Sequence, residues 1–458
     1  MMTTRSLLLA GVIFLFCSSI GNSQITTNTV YATVSFSPAN TGPPLNPAFN
    51  GLSYEKLNIA KGFFNSNNVP LVKLFSMIGP AVLRVGGGTV DTTCWGGLSN
   101  TIPITASEVD TFAGFIKAIP TNWSVIYGIN LFSNTPANAA AEATYAANAL
   151  GPRLLGFEIG NEPEFVLSKY RTFLGRWRPF AAAVKNAAPD CTLVGADGGQ
   201  GVLSTYTDPF ARDEKGVVSM VTQHYYRAAP SPKNTMQRLL KPDPFLRKLV
   251  TNIVTAAAGR CPLGTRIDEC GSFSAGGLNH VSNAFGAALW SLEFMSTVAL
   301  NGGQGINFHG GGRSPYSPII DNGKVVTAVG PEFYGLKMFS LIPPGNIISA
   351  TITPAGNTKF TAYGVRQPDG AISALLINKD TNNTVAASVN LGANTIGAQV
   401  IELTGRSLYS RRGYTLGGAS IKPDGSWTGG VQEVLSATNG QLTVSVPPIS
   451  AVLLKPSR

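Results

Sequence analysis

Gly156-Phe157-Glu158-Ile159-Gly160-Asn161-Glu162-Pro163 is the stretch on which the fold turns. Residues 154–159 read as a short buried strand that stops at Gly160. An amide, a carboxylate and a proline follow at once. A core has no use for a carboxylate at a strand tip, because burying an unpaired charge is costly. Glu162 therefore reads as a catalytic acid, provided that a second carboxylate reaches the same place.

The neighbouring sequence repeats the pattern. Short apolar segments at residues 49–55, 81–87, 123–130, 154–159, 192–196, 217–226, 265–269 and 305–310 each end in polar groups. Helical stretches at 71–78, 106–118, 137–150, 169–187, 245–258, 284–300 and 332–341 separate them. In 106–118, Val109, Phe112, Phe115 and Ile116 share one helix face. Eight alternations predict an α/β fold, a (β/α)8 TIM barrel over residues 45–342. An open doubly wound sheet is the alternative. Gly86-Gly87-Gly88, however, follows the second strand and lacks the spacing of a dinucleotide-binding turn.

After Pro343-Pro344 the period changes from helical to alternating. Segments 358–365, 371–378, 384–391, 399–403, 442–446 and 451–454 predict an antiparallel β-sandwich domain over residues 343–458. Residues 29–36 also alternate and have no partner in the barrel, so the region 24–44 is expected to lend its strand to the sandwich. At the start, Arg5 precedes an apolar run at 7–17 and a small, polar stretch at 18–23. That is the layout of a signal peptide over residues 1–23, and it predicts a secreted protein, extracellular or periplasmic. No stretch is long enough for a membrane span.

The chain of 458 residues has only 13% charged residues and a net charge of +10. The basic residues are scattered, which argues against nucleic acid and fits an acidic substrate. Cys94, Cys191, Cys261 and Cys270 show no zinc spacing, and no metal or cofactor is expected. A strand at 264–269 would hold Cys261 and Cys270 too far apart to bridge. A pairing among Cys94, Cys191 and Cys270 stands beside the alternative of buried thiols.

Active sites of such barrels lie at the C-terminal strand ends. There the sequence places Tyr54 and Glu55, Arg84, Asn161 and Glu162, His224 with Tyr225 and Tyr226, Glu269, and His309. Glu269 on the seventh strand is the second carboxylate. Two facing carboxylates suit glycosidic-bond cleavage, with retention at ~5–5.5 Å separation and inversion at ~6.5–9.5 Å. Glu158 reads as a paired structural carboxylate. Asp268, one residue before Glu269, should point to the opposite face. Trp95 reads as packing or as the wall of a sugar subsite.

Asn161-Glu162-Pro163 with Glu269 resembles the clan A retaining glycosidases. Within that clan the chain is similar to glycoside hydrolase family 79, the β-glucuronidases and heparanase-like enzymes. The resemblance is carried by Gly51-Leu52-Ser53-Tyr54-Glu55, Leu83-Arg84-Val85-Gly86-Gly87, Gly156 to Pro163, His224-Tyr225-Tyr226, Asn307-Phe308-His309-Gly310 and Glu332-Phe333-Tyr334-Gly335-Leu336. It implies a retaining, exo-acting β-glucuronidase whose partner is a glucuronide-bearing glycan or conjugate, working as a monomer. Glu162 would be the acid/base, with a raised pKa, and Glu269 the nucleophile. Asn161 would bind the sugar 2-hydroxyl, a tyrosine of the strand-six pair, Tyr225 before Tyr226, would bond Glu269, and Glu55 would take ring hydroxyls. His224 would line the sugar or orient a neighbour. Tyr316 and Gly312 would hold the uronate carboxylate, with Arg313 as a further candidate. The alternatives are a clan relative acting on neutral sugars, such as a β-xylosidase or arabinofuranosidase, and a non-catalytic glycan-binding barrel.

Overall fold

The computed structural model describes residues 28–354, 356–357 and 359–457. The expected signal peptide therefore lies outside the described residues. Eight parallel strands close into a barrel: β1 (Gly51–Glu55), β2 (Ala81–Gly86), β3 (Trp123–Ile129), β4 (Leu154–Ile159), β5 (Leu193–Gly198), β6 (Val218–Tyr226), β7 (Thr265–Gly271) and β8 (Ile306–Gly310). Each strand is wholly or largely buried, as strands covered by an outer ring of helices must be.

The helices form where the sequence supplies both a face and a cap. Ala106–Ala118 starts at Thr105, whose backbone N–H and hydroxyl both donate to Glu108. Its residues Val109, Phe112, Phe115 and Ile116 are fully buried. Asp243 caps Pro244–Ala257 by accepting from the N–H groups of Phe245 and Leu246. Gly286–Leu300 is buried almost all round because it lies between two layers. One side packs on the barrel. The other meets the C-terminal domain, where Lys379 Nζ stands 2.6 Å from Glu293 Oε2.

That domain is a sandwich of a seven-stranded and a four-stranded sheet. Its own core is built from residues such as Ile372, Leu376, Val389, Val400 and Val444. The opposite face of the larger sheet, with Leu375, Ile377, Leu403 and Leu453, continues the barrel core. The N-terminal strand, Asn28–Ser35, lies inside the smaller sheet. It pairs antiparallel with Thr351–Thr353 and parallel with Asn383–Asn390, so the sandwich is not antiparallel throughout. Among the described residues no helix is long and apolar enough to cross a membrane.

Local geometry corrects one reading and decides another that the sequence leaves open. First, β7 is bulged: three steps from Ile267 to Cys270 match two on β8, and three from Arg266 to Glu269 match two on β6. The extra residue breaks the alternation. Asp268 therefore faces the barrel interior, fully buried, with its Oδ2 3.8 Å from Arg84 Nε. Second, Cys94, Cys191, Cys261 and Cys270 are all free thiols. The Cys94 sulfur sits between Asn134 and Asn138, and Cys270 donates to the Asn307 carbonyl.

Candidate active site

The barrel mouth is organised by a buried cation. Arg84 on β2 is fully buried, and its guanidinium makes five hydrogen bonds. Nε donates to Glu158 at 2.8 Å. Nη1 donates to Glu269 at 2.7 Å and Ser53 at 3.3 Å, and Nη2 to Asp197 at 2.6 Å and Asn161 at 2.9 Å. Gly86 makes room for this fork, since a Cβ there would lie 2.6 Å from Arg84 Nε. Glu158 is thus a paired structural carboxylate, and its other oxygen accepts from Thr222.

Register sets the two carboxylates around one imidazole. Glu269 pairs with His224 across β7 and β6. Glu162 ends the turn after β4 with a left-handed φ of 40°. His224 Nδ1 lies 3.0 Å from Glu162 Oε1 and 3.7 Å from Glu269 Oε1. The separation of those two oxygens cannot exceed the sum of the distances, which falls at the lower edge of the ~6.5–9.5 Å inverting range.

Electrostatics separates the roles. Burial pushes the Glu269 carboxyl up, but His309, His224 and Arg84 nearby and the Tyr226 hydroxyl hold it well below the usual carboxylate range. It is therefore ionised and suited to nucleophilic attack. Burial would lower His224, yet Glu269, Asp197 and the hydrogen bonds to Asp197 and Glu162 raise it well above an ordinary histidine. Burial and the like charges of Glu158 and Asp197 push the Asp268 carboxyl well above the usual carboxylate range, which favours its neutral form. Asp197, His224 and Asp268 approach closely enough to hold an ion. The space among them is already served by Arg84, whose Nη2 binds Asp197.

The other sequence candidates divide. Asn161 gives its Oδ1 to Arg84, which turns its amide donors elsewhere. Glu55 accepts from the backbone and hydroxyl of Thr89, and its Oε1 stands 3.6 Å from His309 Nε2. Burial opposes ionisation of Glu55, but the His309 contact and the Thr89 bond outweigh it and lower its pKa. Tyr316 is buried and stacks on Tyr226 at 6.0 Å between centroids. A cavity of about 410 Å³ opens here, lined by Glu55, Lys61, Thr89, His309, Gly312 and Tyr316 among others.

Two assignments change, and that of His224 narrows to one of its two readings. Tyr225 does not bond Glu269. It stacks on Phe294 and donates to Asp243, on the outer side of β6. Its neighbour Tyr226 donates to Glu269 Oε1 at 2.8 Å, because alternation turns the next side chain inward. Gly312 lines the cavity, but its N–H is committed to Asp321 Oδ2 at 2.8 Å and is not free for a carboxylate. His224 is 1% exposed and holds Glu162 and Asp197 instead of forming an open wall. Arg313 is exposed and does not line the cavity, whereas Lys61 does. Trp95 packs against Tyr145.

Sequence reasoning missed Asp197 and Lys61, ranked Tyr226 behind Tyr225, and placed Arg84 at the mouth without its central part. The one visible signal was Arg84 itself, a lone cation in an otherwise apolar strand.

Residues 362–453 match the glycosyl hydrolase family 79 C-terminal beta domain. A β-glucuronidase from Neurospora crassa is 25% identical over 202 residues. The aligned stretch is 39% of this chain and 35% of that relative, so it spans about a third of its length. Among solved structures, a 4-O-α-L-rhamnosyl-β-D-glucuronidase from Fusarium oxysporum superposes with a TM-score of 0.73 at 19% identity, covering 93% of this chain and all of that one. A family 51 α-L-arabinofuranosidase from Bifidobacterium longum gives 0.68 at 15% identity, covering 92% of this chain and 99% of that one. These structural likenesses show the fold. The match at residues 362–453 is to the C-terminal domain of family 79, and the β-glucuronidase likeness extends over part of the chain.

Proposed function

We propose that the protein is an exported, retaining, exo-acting β-glucuronidase. The observation that carries this reading is the pairing of an ionised Glu269 with Glu162 across a single imidazole, beside a cavity that holds both Tyr316 and Lys61. In the first step Glu269 attacks the anomeric carbon. The glycosidic C–O bond breaks, and the Glu162 proton passes to the leaving oxygen. In the second, Glu162 takes a proton from water, which attacks the glycosyl-enzyme and frees Glu269. Asn161, with its oxygen tied to Arg84, offers its NH₂ to the 2-hydroxyl. Glu55 accepts from ring hydroxyls.

A uronate carboxylate needs a counter-charge or donors. Tyr316 and Lys61 supply them, and Lys61 forms no ion pair with any described residue. The N-terminal leader-like sequence and the sparsely charged composition support export. The test is a panel of aryl β-glycosides. Turnover of the glucuronide with retention, abolished in Glu269→Ala, is the expected result. Strong turnover of a xyloside or arabinofuranoside without the glucuronide refutes the reading.

A further inference from the structure

One buried carboxylate near the reacting groups has no part in the steps above. Asp197, at the end of β5, is fully buried and has a left-handed φ of 61°. It touches the acid/base in two ways. Its carbonyl accepts the Glu162 N–H at 2.9 Å, pinning the main chain at the strained tip. Its Oδ1 lies 2.5 Å from His224 Nε2, and the far nitrogen of that ring is 3.0 Å from Glu162 Oε1. Its Oδ2 accepts from Arg84, whose Nη1 holds Glu269. Asp197 is thus one bond from the imidazole on the acid side and one guanidinium from the nucleophile.

We propose that Asp197 is a positioning residue for the acid/base: by accepting His224 Nε2–H it keeps a proton on Nδ1 as well, aimed at Glu162 Oε1. This rests on the glycosidase reading above. The chemistry follows from the proton positions. With Nδ1–H donating to Oε1, the acidic proton of Glu162 resides on Oε2, which bonds to no described residue. When that proton leaves for the glycosidic oxygen, the new carboxylate charge forms beside an imidazolium already in place. A donor aimed at charge that develops only in the transition state accelerates the step. A neutral imidazole with its lone pair at Nδ1 would draw the proton onto Oε1, away from the leaving group.

The charged groups facing this pair are Arg84 from β2, Glu158 from β4, Glu162 and Glu164 from the turn after it, and Asp268 and Glu269 from β7. Asp197 and Glu269 are the anions that favour the doubly protonated ring.

The experiment compares the full-length protein with Asp197→Asn, which keeps the shape and removes the charge. The substrates are phenyl β-glucuronide, whose leaving group needs a proton, and 2,4-dinitrophenyl β-glucuronide, whose leaving group does not. The expected result is a loss of roughly 10- to 100-fold in kcat/KM on the phenyl substrate, part of a general acid's contribution. The loss on the dinitrophenyl substrate should be under roughly threefold, because it needs no general acid. The alkaline limb of the phenyl profile should also move to higher pH, since without Asp197 the ring gives up its second proton and the cation facing the acid/base is lost. Equal losses on both substrates, or a limb that stays in place or moves to lower pH, overturn the proposal. If Asp197→Asn does not fold, His224→Gln must show the same split, and its absence is equally fatal. A wild-type protein inactive on both substrates refutes the glycosidase reading, and this inference with it.

Discussion

Adjacent tyrosines on β6 give the sharpest test of the site. The same substitution, Tyr to Phe, should have opposite consequences at Tyr225 and Tyr226. Tyr226 donates to Glu269 at 2.8 Å, and a hydrogen bond to a charged group is worth about 1.5–3 kcal/mol. If that bond orients the nucleophile in the transition state, Tyr226→Phe lowers kcat/KM by roughly 10- to 160-fold. His309, His224 and Arg84 still hold Glu269 ionised, so the acid limb of the pH profile rises only slightly. Tyr225 instead donates to Asp243, which keeps Arg227 at 2.6 Å as a second partner. Tyr225→Phe should cost about 1 kcal/mol of stability with kinetics unchanged. In a chain of this size that is a fall in Tm of roughly 1–3 °C. Steady-state kinetics on an aryl glucuronide and a thermal melt read both effects. Equal loss of activity in the two variants, or an active Tyr226→Phe, refutes the assignment of the inward tyrosine.

Lys61→Met should weaken kcat/KM for a glucuronide by roughly 5- to 50-fold, the loss of one charge-assisted contact, and leave any residual glucoside turnover unchanged. Competing kinetics on the two substrates measure it, and Lys61→Arg should restore most of the difference. Gly86→Ala should displace the Arg84 guanidinium, cost about 1–3 kcal/mol in stability and reduce activity more than tenfold, seen in melts and rates together. Stability should also fall as pH rises from about 5 to 8. Burial lifts Asp91, in the turn after β2, to about 6, and a carboxyl with a raised folded pKa loses its stabilising proton as pH climbs through that value. The raised His224 acts in the same direction above its unfolded pKa. The depressed Glu269 and Glu55 contribute losses only below about pH 4.3. A buffer series of melting temperatures with its maximum above pH 7 contradicts this reasoning.

The strand count was legible because each barrel strand is an apolar run ending in polar residues, a pattern set by burial on both faces and exposure at one end. Glu162 and Glu269 were legible for the same reason, since carboxylates at strand ends stand out against that background. What failed was the alternation of side chains near the mouth. A bulge in β7 turned Asp268 inward, and nothing in Thr265-Arg266-Ile267-Asp268-Glu269 marks a bulge. The choice between Tyr225 and Tyr226 depended on a one-residue register that two adjacent tyrosines cannot signal. Asp197 was hidden because Val194-Gly195-Ala196-Asp197-Gly198 reads as a loop beginning, while its carboxylate is claimed by Arg84 from three strands away. Charge networks that join distant strands leave no local trace.

The N-terminal strand in the smaller sheet has a consequence for how the protein is made. Asn28–Ser35 leaves the ribosome early, yet its partners Thr351–Thr353 and Asn383–Asn390 are synthesised more than 300 residues later. Until then its backbone donors and acceptors are open, and it is an adhesive edge for other chains. The same dependence makes the C-terminal domain a poor unit for excision. Residues 343–458 alone would expose the vacated edges of Thr351–Thr353 and Asn383–Asn390, whereas supplying residues 28–36 as a separate peptide would close them by strand complementation.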